Sequence, residues 1–226
     1  MLDFGFYNMD CMSAMKDIPD DSVDLTLTDI PYDGVNNVRN GGGIRVLDKG
    51  AADIITFDLN NFCKEIYRVT KSTIIIFCGI KQVSSIYNFY FSTNATVRQL
   101  IYEKSNPSPM NGEKIYLSGV ENAIWVKKKN GTFNGFCKNT VFRYPCGNSD
   151  IHPTEKNHKL LAELIADNSN PQQIVFDPCA GSGSTLLMAH ELGRKYIGFE
   201  LNKEYYELAK KRLDQETAQM NIFDFI

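Results

Sequence analysis

The strongest constraint in this 226-residue chain is a repeated switch between short apolar runs and amphipathic stretches. Strand-like runs at 4–9, 23–28, 73–78, 95–103, 122–126, 174–176 and 196–199 alternate with helix-like stretches at 10–18, 59–69, 82–91, 160–165, 184–192 and 203–218. Such alternation builds βαβ units, in which helices cover the faces of a parallel sheet. The clearest helix is 59–69, where Leu59, Phe62, Cys63, Ile66 and Val69 recur at the spacing of one helical face. Residues 74–78 are apolar without a break, as a strand buried on both faces requires. The expected fold is α/β with a Rossmann-like sheet.

Two stretches break the rhythm. Residues 33–52 are rich in Gly and Asn, including Gly41, Gly42 and Gly43, and read as a long functional loop. Residues 104–150 carry Pro107, Pro109 and the triplet Lys127, Lys128 and Lys129. They read as an inserted recognition segment plus one core strand. The expected organisation is thus a half-domain at 1–103, the insertion at 104–150, and the second half of the same domain at 151–226.

Charge follows this division. The net charge is −3, yet 103–160 holds nine Lys/Arg against five Asp/Glu, which is +4 and leaves −7 elsewhere. A basic segment on an acidic body fits local contact with phosphates; a solvated surface cluster is the other reading. Hydrophobic residues make up 43% of the chain, and its six cysteines include no Cys-x-x-Cys pair, so zinc spacing and a dense disulfide framework are both excluded. No apolar run approaches the roughly 20 residues of a membrane span. A cytoplasmic protein without metal or membrane contact is expected.

Two segments carry chemistry. The first is a strand ending at Asp177, followed by Pro178, Cys179, Ala180, Gly181, Ser182, Gly183, Ser184 and Thr185. Glycines in such a turn let a ligand approach the backbone closely. Glu200 closes the next strand 19 residues after Gly181, a spacing that suits hydrogen bonds to ribose hydroxyls. A dinucleotide site would want a third glycine where Leu186 stands, and Asp177 would repel a pyrophosphate. Asp177 suits instead a cationic amino group such as that of S-adenosylmethionine. A plain packing turn is the alternative.

The second segment is Asp29, Ile30, Pro31 and Tyr32, just past a hydrophobic strand. Ligands of open α/β sheets bind at that edge. An exocyclic amine is a poor nucleophile because its lone pair is conjugated into the ring. Two acceptors on its N–H bonds can localise that pair: the Asp29 carboxylate and a backbone carbonyl, that of Ile30. Pro31 would fix the turn, and Tyr32 would stack on a base flipped from the duplex. The alternative is a turn in which Asp29 caps a helix and Tyr32 packs in the core.

Together these residues resemble the permuted, beta-class amino-methyltransferases of DNA. That family runs Asp-Pro-Pro-Tyr, then target recognition, then the cofactor loop, the order found here. Asn8, Met9, Asp10 and Cys11 resemble its segment at the cofactor adenine. Residues 152–156, ending in Glu155 and Lys156, resemble its His-Pro-Thr-x-Lys box at the methionine end. Gly198, Phe199, Glu200 and Leu201, with Tyr205, Tyr206 and Arg212, resemble its closing strand and helix. Asn106 and Pro107 through Glu121 and Trp125 resemble the frame of its recognition region. Ile30, Cys179 and Asn157 depart from family positions usually held by Pro, Phe and Pro.

The resemblance implies a circularly permuted class I methyltransferase sheet with a small inserted target-recognition segment, S-adenosylmethionine as cofactor, and double-stranded DNA as partner. A homodimer is allowed. Asp10, Cys11, Asp29, Lys156, Phe176, Asp177, Ala180, Gly181, Ser182, Gly183, Ser184, Thr185, Glu200 and Leu201 are the expected cofactor residues. Arg39, Arg45, Asn106, Lys114, Lys127, Lys128, Lys129, Lys138 and Arg143 are the candidates for DNA contact. In the family, Asp at the first catalytic position accompanies adenine and Ser accompanies cytosine, so Asp29 implies adenine. Methylation of the cytosine amine in DNA, methylation of RNA or a protein amide, and a silent DNA-binding or cofactor-sensing protein are the competing readings.

Overall fold

A computed structural model describes residues 3–32, 55–109, 112–147 and 155–223. The expected elements form, most with shifted ends, and one unexpected strand, β6, joins them: β1 (Gly5–Asn8), α1 (Cys11–Ala14), β2 (Val23–Asp29), α2 (Leu59–Val69), β3 (Thr70–Cys78), α3 (Val83–Phe91), β4 (Thr96–Lys104) and β5 (Val120–Lys127), then β6 (Val141–Tyr144), α4 (His158–Asn168), β7 (Ile174–Asp177), α5 (Ser184–Glu191), β8 (Lys195–Glu200) and α6 (Lys203–Phe223). The helix expected over 10–18 is a short α1 that tightens into a 3-10 turn at Met15–Asp17. Among the described residues, no helix is long and apolar enough to cross a membrane.

Local chemistry explains the boundaries. Asp58 starts α2 by accepting a hydrogen bond from the Asn61 N–H at 2.9 Å, and Asn157 starts α4 by accepting from the Lys159 and Leu160 N–H groups. The apolar face of α2 buries Phe62, Cys63, Ile66 and Val69. In β3, Ile74, Ile76 and Cys78 join one core cluster, while Ile75 and Phe77 join the other. Alternate side chains of a strand face opposite sides, so β3 needs cover on both faces. The chain of α1, α2 and α3 supplies one layer, and α4, α5 and α6 the other.

The eight strands lie in the order β1-β8-β7-β2-β3-β5-β4-β6. All run parallel except β5, which is antiparallel to both β3 and β4. From the β7/β2 boundary the chain winds outward in both directions. That boundary is a topological switch point, where the carboxyl ends of two strands open a crevice. Asp29 ends β2 and Asp177 ends β7, so the two segments singled out for chemistry flank one crevice despite their distance in sequence.

Within 104–150 the sheet takes more than one strand. β5 inserts between β3 and β4, and β6 pairs with the outer edge of β4. The four residues of β6 alternate between exposed and half-buried positions, a weak pattern in a segment of Asn, Gly and Pro.

Candidate active site at the carboxyl edge of the sheet

Asp29 stands at the centre of a polar cluster. Its Oδ2 accepts a hydrogen bond from Lys156 Nζ, while its buried Oδ1 has no partner among the described residues. Lys156 also donates to the Tyr32 hydroxyl at 3.3 Å and lies 3.0 Å from Glu121 Oε2. The other Glu121 oxygen takes Lys104 Nζ at 2.7 Å. Burial pushes the Asp29 carboxyl above the ordinary range, and the Lys156 charge only partly offsets it. Burial opposes the charge on Lys156, but Asp29, Tyr32 and Glu121 outweigh it and hold that ammonium well above its usual range. Burial likewise opposes ionisation of Glu121, yet Lys156 and Lys104 hold its carboxyl at about 2.

The segment itself is anchored from below. The Ile30 N–H donates to the Phe77 carbonyl at 3.2 Å, and the Ile30 side chain is buried. Gln82, 4% exposed, donates from Nε2 to the Pro31 carbonyl and accepts the Gly79 N–H on Oε1. A Cβ on Gly79 would lie 3.2 Å from Tyr32 Cβ. A tight turn after β3 therefore braces the turn after β2. The Pro31 carbonyl is thus occupied by Gln82.

On the other side of the crevice, Gly181 and Gly183 adopt φ values of +50° and +74°. Side chains rarely tolerate that region, so the turn depends on glycine there. Glu200 closes the turn: its Oε2 accepts the Gly181 N–H at 2.9 Å and its Oε1 the Asn202 N–H at 2.7 Å. Arg212, from α6, donates to the Ser182 carbonyl, the Ser184 hydroxyl and Glu155 Oε1. Asp177 is 3% exposed and burial pushes its carboxyl up to about 7, although the hydroxyls of Thr28 and Thr185 and the Cys179 N–H pull it down. Ala180 and Thr185 are buried in the same turn. Phe176 is wholly buried against Phe199, with ring centroids 5.5 Å apart. Its side chain serves the core, so only its backbone is available to a ligand.

β1 borders the same edge. Asp10 caps α1 by accepting the Ser13 N–H, Cys11 is buried behind it, and Asn8 donates to the Glu200 and Leu201 carbonyls. Leu201 keeps 54% of its surface exposed, which leaves an apolar patch beside Glu200.

Comparison with known proteins places this arrangement. The chain is 30% identical to the type II methyltransferase M.HinfI of Haemophilus influenzae, over 96% of this chain and 70% of that one. It is 31% identical to the type II methyltransferase M.HpaI of Haemophilus parainfluenzae, over 95% and 74%. The chain belongs to the N6/N4 DNA methylase family. The profile of that family, described as DNA methylase, matches residues 125–211. The solved complex of M1.HpyAVI with SAM shares 28% identity and superimposes with a TM-score of 0.71, covering 92% of this chain and 98% of that one. The cytosine-N4-specific PvuII DNA methyltransferase, 16% identical, has the same fold with a TM-score of 0.70 over 95% and 91% of the two chains. The sheet is thus that of a class I DNA methyltransferase.

For this methylase the basic residues divide between two edges. Asn106, Lys114 and Arg143 lie at the carboxyl edge shared with Asp29: Asn106 and Lys114 in the β4–β5 connection, Arg143 near the end of β6. Asn106 Oδ1 accepts the Cys146 N–H, and Arg143, 71% exposed, pairs with Glu103. Lys127, Lys128 and Lys129 lie toward the opposite edge, because antiparallel β5 ends at Lys127 beside Thr73, near the start of β3. There Lys128 binds Asp21 at 2.8 Å and sits 4.2 Å from the centre of the Tyr67 ring. Lys138 is held by Glu163 and Asp167 of α4. Lys128 and Lys138 are thus paired with carboxylates of the protein itself. Arg39, Arg45 and residues 152–154 of the His-Pro-Thr box lie outside the described residues.

Sequence reading missed Lys104 and Glu121 as members of the cluster, and Gln82 as the brace of Pro31. Each acts across strands, and only Glu121 fell inside a recognised motif frame.

Proposed function

We propose that this chain methylates the N6 amine of adenine in double-stranded DNA, with S-adenosylmethionine as methyl donor. The observation that carries the reading is the buried Oδ1 of Asp29 at the switch point, without a partner among the described residues, across from the Gly181–Gly183 turn. The crevice fits the cofactor: Asp177 is a buried carboxylate in want of a cation, Glu200 is fixed by backbone N–H groups, and the glycine turn admits close approach. Asp177 would hold the cofactor's amino group, and Lys156 the methionine end. Glu200, Asp10, Cys11 and Leu201 would hold the adenosine, and Ala180, Ser182, Ser184, Thr185 and the Phe176 backbone would shape the turn. When bound, S-adenosylmethionine supplies an electrophilic methyl group on a sulfonium.

The protein's own groups do the rest by position and charge. Tyr32 stacks on the extruded base. Asp29 Oδ1 accepts one N–H of the target amine, and the Ile30 carbonyl accepts the other. These bonds localise the lone pair, and the ionised Asp29 carboxylate takes the proton the amine must lose. Activity should therefore fall as the pH drops through the raised pKa of Asp29. Asn106, Lys114, Arg143, Arg39 and Arg45 are the proposed DNA contacts, and 104–150 the proposed recognition segment in one domain with 1–103 and 151–226. Asp29 at the first catalytic position favours adenine.

The test is product identity. The protein is incubated with S-adenosylmethionine labelled in its methyl group and unmethylated DNA, and the nucleosides are separated. Label is expected in N6-methyladenine. Label in N4-methylcytosine alone overturns the base assignment; label only in RNA or protein overturns the substrate.

A further inference from the structure

Glu121 and Lys104 have no task in the mechanism above, yet both are built into its centre. Glu121 is the second residue of β5 and Lys104 the last of β4. With Lys156 and Asp29 they form an unbroken chain of ion pairs: Asp29 to Lys156, Lys156 to Glu121 at 3.0 Å, Glu121 to Lys104 at 2.7 Å. The side chains of Lys156, Glu121 and Lys104 are 8%, 16% and 19% exposed. Charges so placed interact strongly, and each depends on its partners.

The order of charges matters. Lys156 Nζ lies between two carboxylates that compete for its charge. Each step that draws it toward Asp29 Oδ2 pulls negative charge away from Oδ1, the acceptor of the target amine. It also brings a positive charge toward a nitrogen that becomes positive as the methyl group is transferred. Each step toward Glu121 does the reverse. Glu121 in turn is shared with Lys104, so the pull of Glu121 on Lys156 depends on how much of its charge Lys104 takes.

We propose that Glu121 is a positioning residue for methyl transfer: it draws the Lys156 ammonium off Asp29, with Lys104 setting the strength of that pull. The proposal rests on the assignment of Asp29 as acceptor of the target amine. The other titratable groups facing Asp29 are Tyr32 in its own segment, Cys78 at the end of β3 and Asp177 at the end of β7. Of these, the Tyr32 hydroxyl touches both partners, accepting from Lys156 Nζ at 3.3 Å and donating to Glu121 Oε2 at 3.4 Å. The direction of the effect follows from the charges: Glu121 raises the Asp29 carboxyl and Lys156 lowers it.

The two anchors therefore predict shifts of opposite sign. Glu121→Gln removes a negative charge and returns Lys156 to Asp29, so the Asp29 carboxyl becomes more acidic. Lys104→Met gives Lys156 the whole Glu121 charge, so the Asp29 carboxyl becomes less acidic. The acidic limb of the kcat–pH profile should move to lower pH in Glu121→Gln and to higher pH in Lys104→Met. Plateau kcat should fall about tenfold in Glu121→Gln, less than the roughly 10²–10³-fold lost when a group that touches the reacting atoms is removed. A direct readout needs no activity: a carbon NMR titration of the Asp29 carboxyl in the ligand-free protein, its resonance identified with Asp29→Asn, should show the same opposite shifts. Shifts absent in both variants, or of one sign in both, overturn the proposal. If Glu121→Gln does not fold, the upward shift in Lys104→Met decides by itself. If the wild-type protein moves no methyl group to DNA, the proposed function fails, while the NMR titration still decides the fate of this one.

Discussion

Replacing Asp177 by Asn should stabilise the ligand-free protein at alkaline pH while weakening its hold on S-adenosylmethionine. Asp177 is 3% exposed at the end of β7, and its carboxyl sits at about 7 because burial disfavours the charged form. An unfolded Asp ionises near ~3.9, so the displacement is about three units, or roughly 4 kcal/mol. The sign follows from the raised folded value. Below pH ~4 both states hold the proton and the group costs nothing; the cost grows as pH rises and is complete above the folded value. The Asn variant carries no such cost. Its advantage over wild type in urea denaturation should grow by roughly 2–3 kcal/mol between pH 5 and pH 8. The cofactor should reverse the ranking, because its cationic amino group favours the ionised Asp177. Wild-type affinity measured by calorimetry should climb through neutral pH, while that of the variant stays flat and weaker. Parallel stability curves for the two proteins would refute the buried carboxylate, and parallel affinity curves would refute its role toward the amino group.

The two edges of the sheet give a second contrast. Arg143→Ala should weaken DNA binding and make its salt dependence shallower by about one unit of slope, whereas Lys128→Ala should leave the slope unchanged and cost only the Asp21 ion pair. Fluorescence anisotropy over a salt series reads both, and equal slopes for Arg143→Ala and wild type would remove Arg143 from the interface. Gly198→Ala tests the packing of α5 on β8: an added Cβ would come within 2.4 Å of Leu186 Cδ1, and overpacking of this kind costs about 1–3 kcal/mol. A melting temperature equal to wild type would show that Leu186 moves aside freely.

Much of this molecule is legible from its residues. Helix α2 follows from five apolar positions, and its observed span, Leu59–Val69, is the one they mark. The crevice was legible too, because Asp29 and Asp177 each end an apolar run, and the switch point brings such ends together. The polar cluster was not. Lys104, Glu121 and Lys156 meet only because β5 inserts antiparallel between β3 and β4, an arrangement no local pattern encodes. The same strand decides where the lysine triplet lies. A basic triplet advertises charge but not direction, and β5 runs the opposite way from its neighbours. β6 escaped notice because four residues of alternating exposure among turn formers resemble a loop.

The central claim is that the Gly181–Gly183 turn binds the methyl donor and Asp29 acts on the base. Asp29→Ala separates these roles in one preparation when cofactor affinity and methyl transfer to DNA are measured together. The account predicts cofactor binding within a few-fold of wild type with transfer lost by a factor of ~10² or more. Transfer at the wild-type rate in that variant would contradict it.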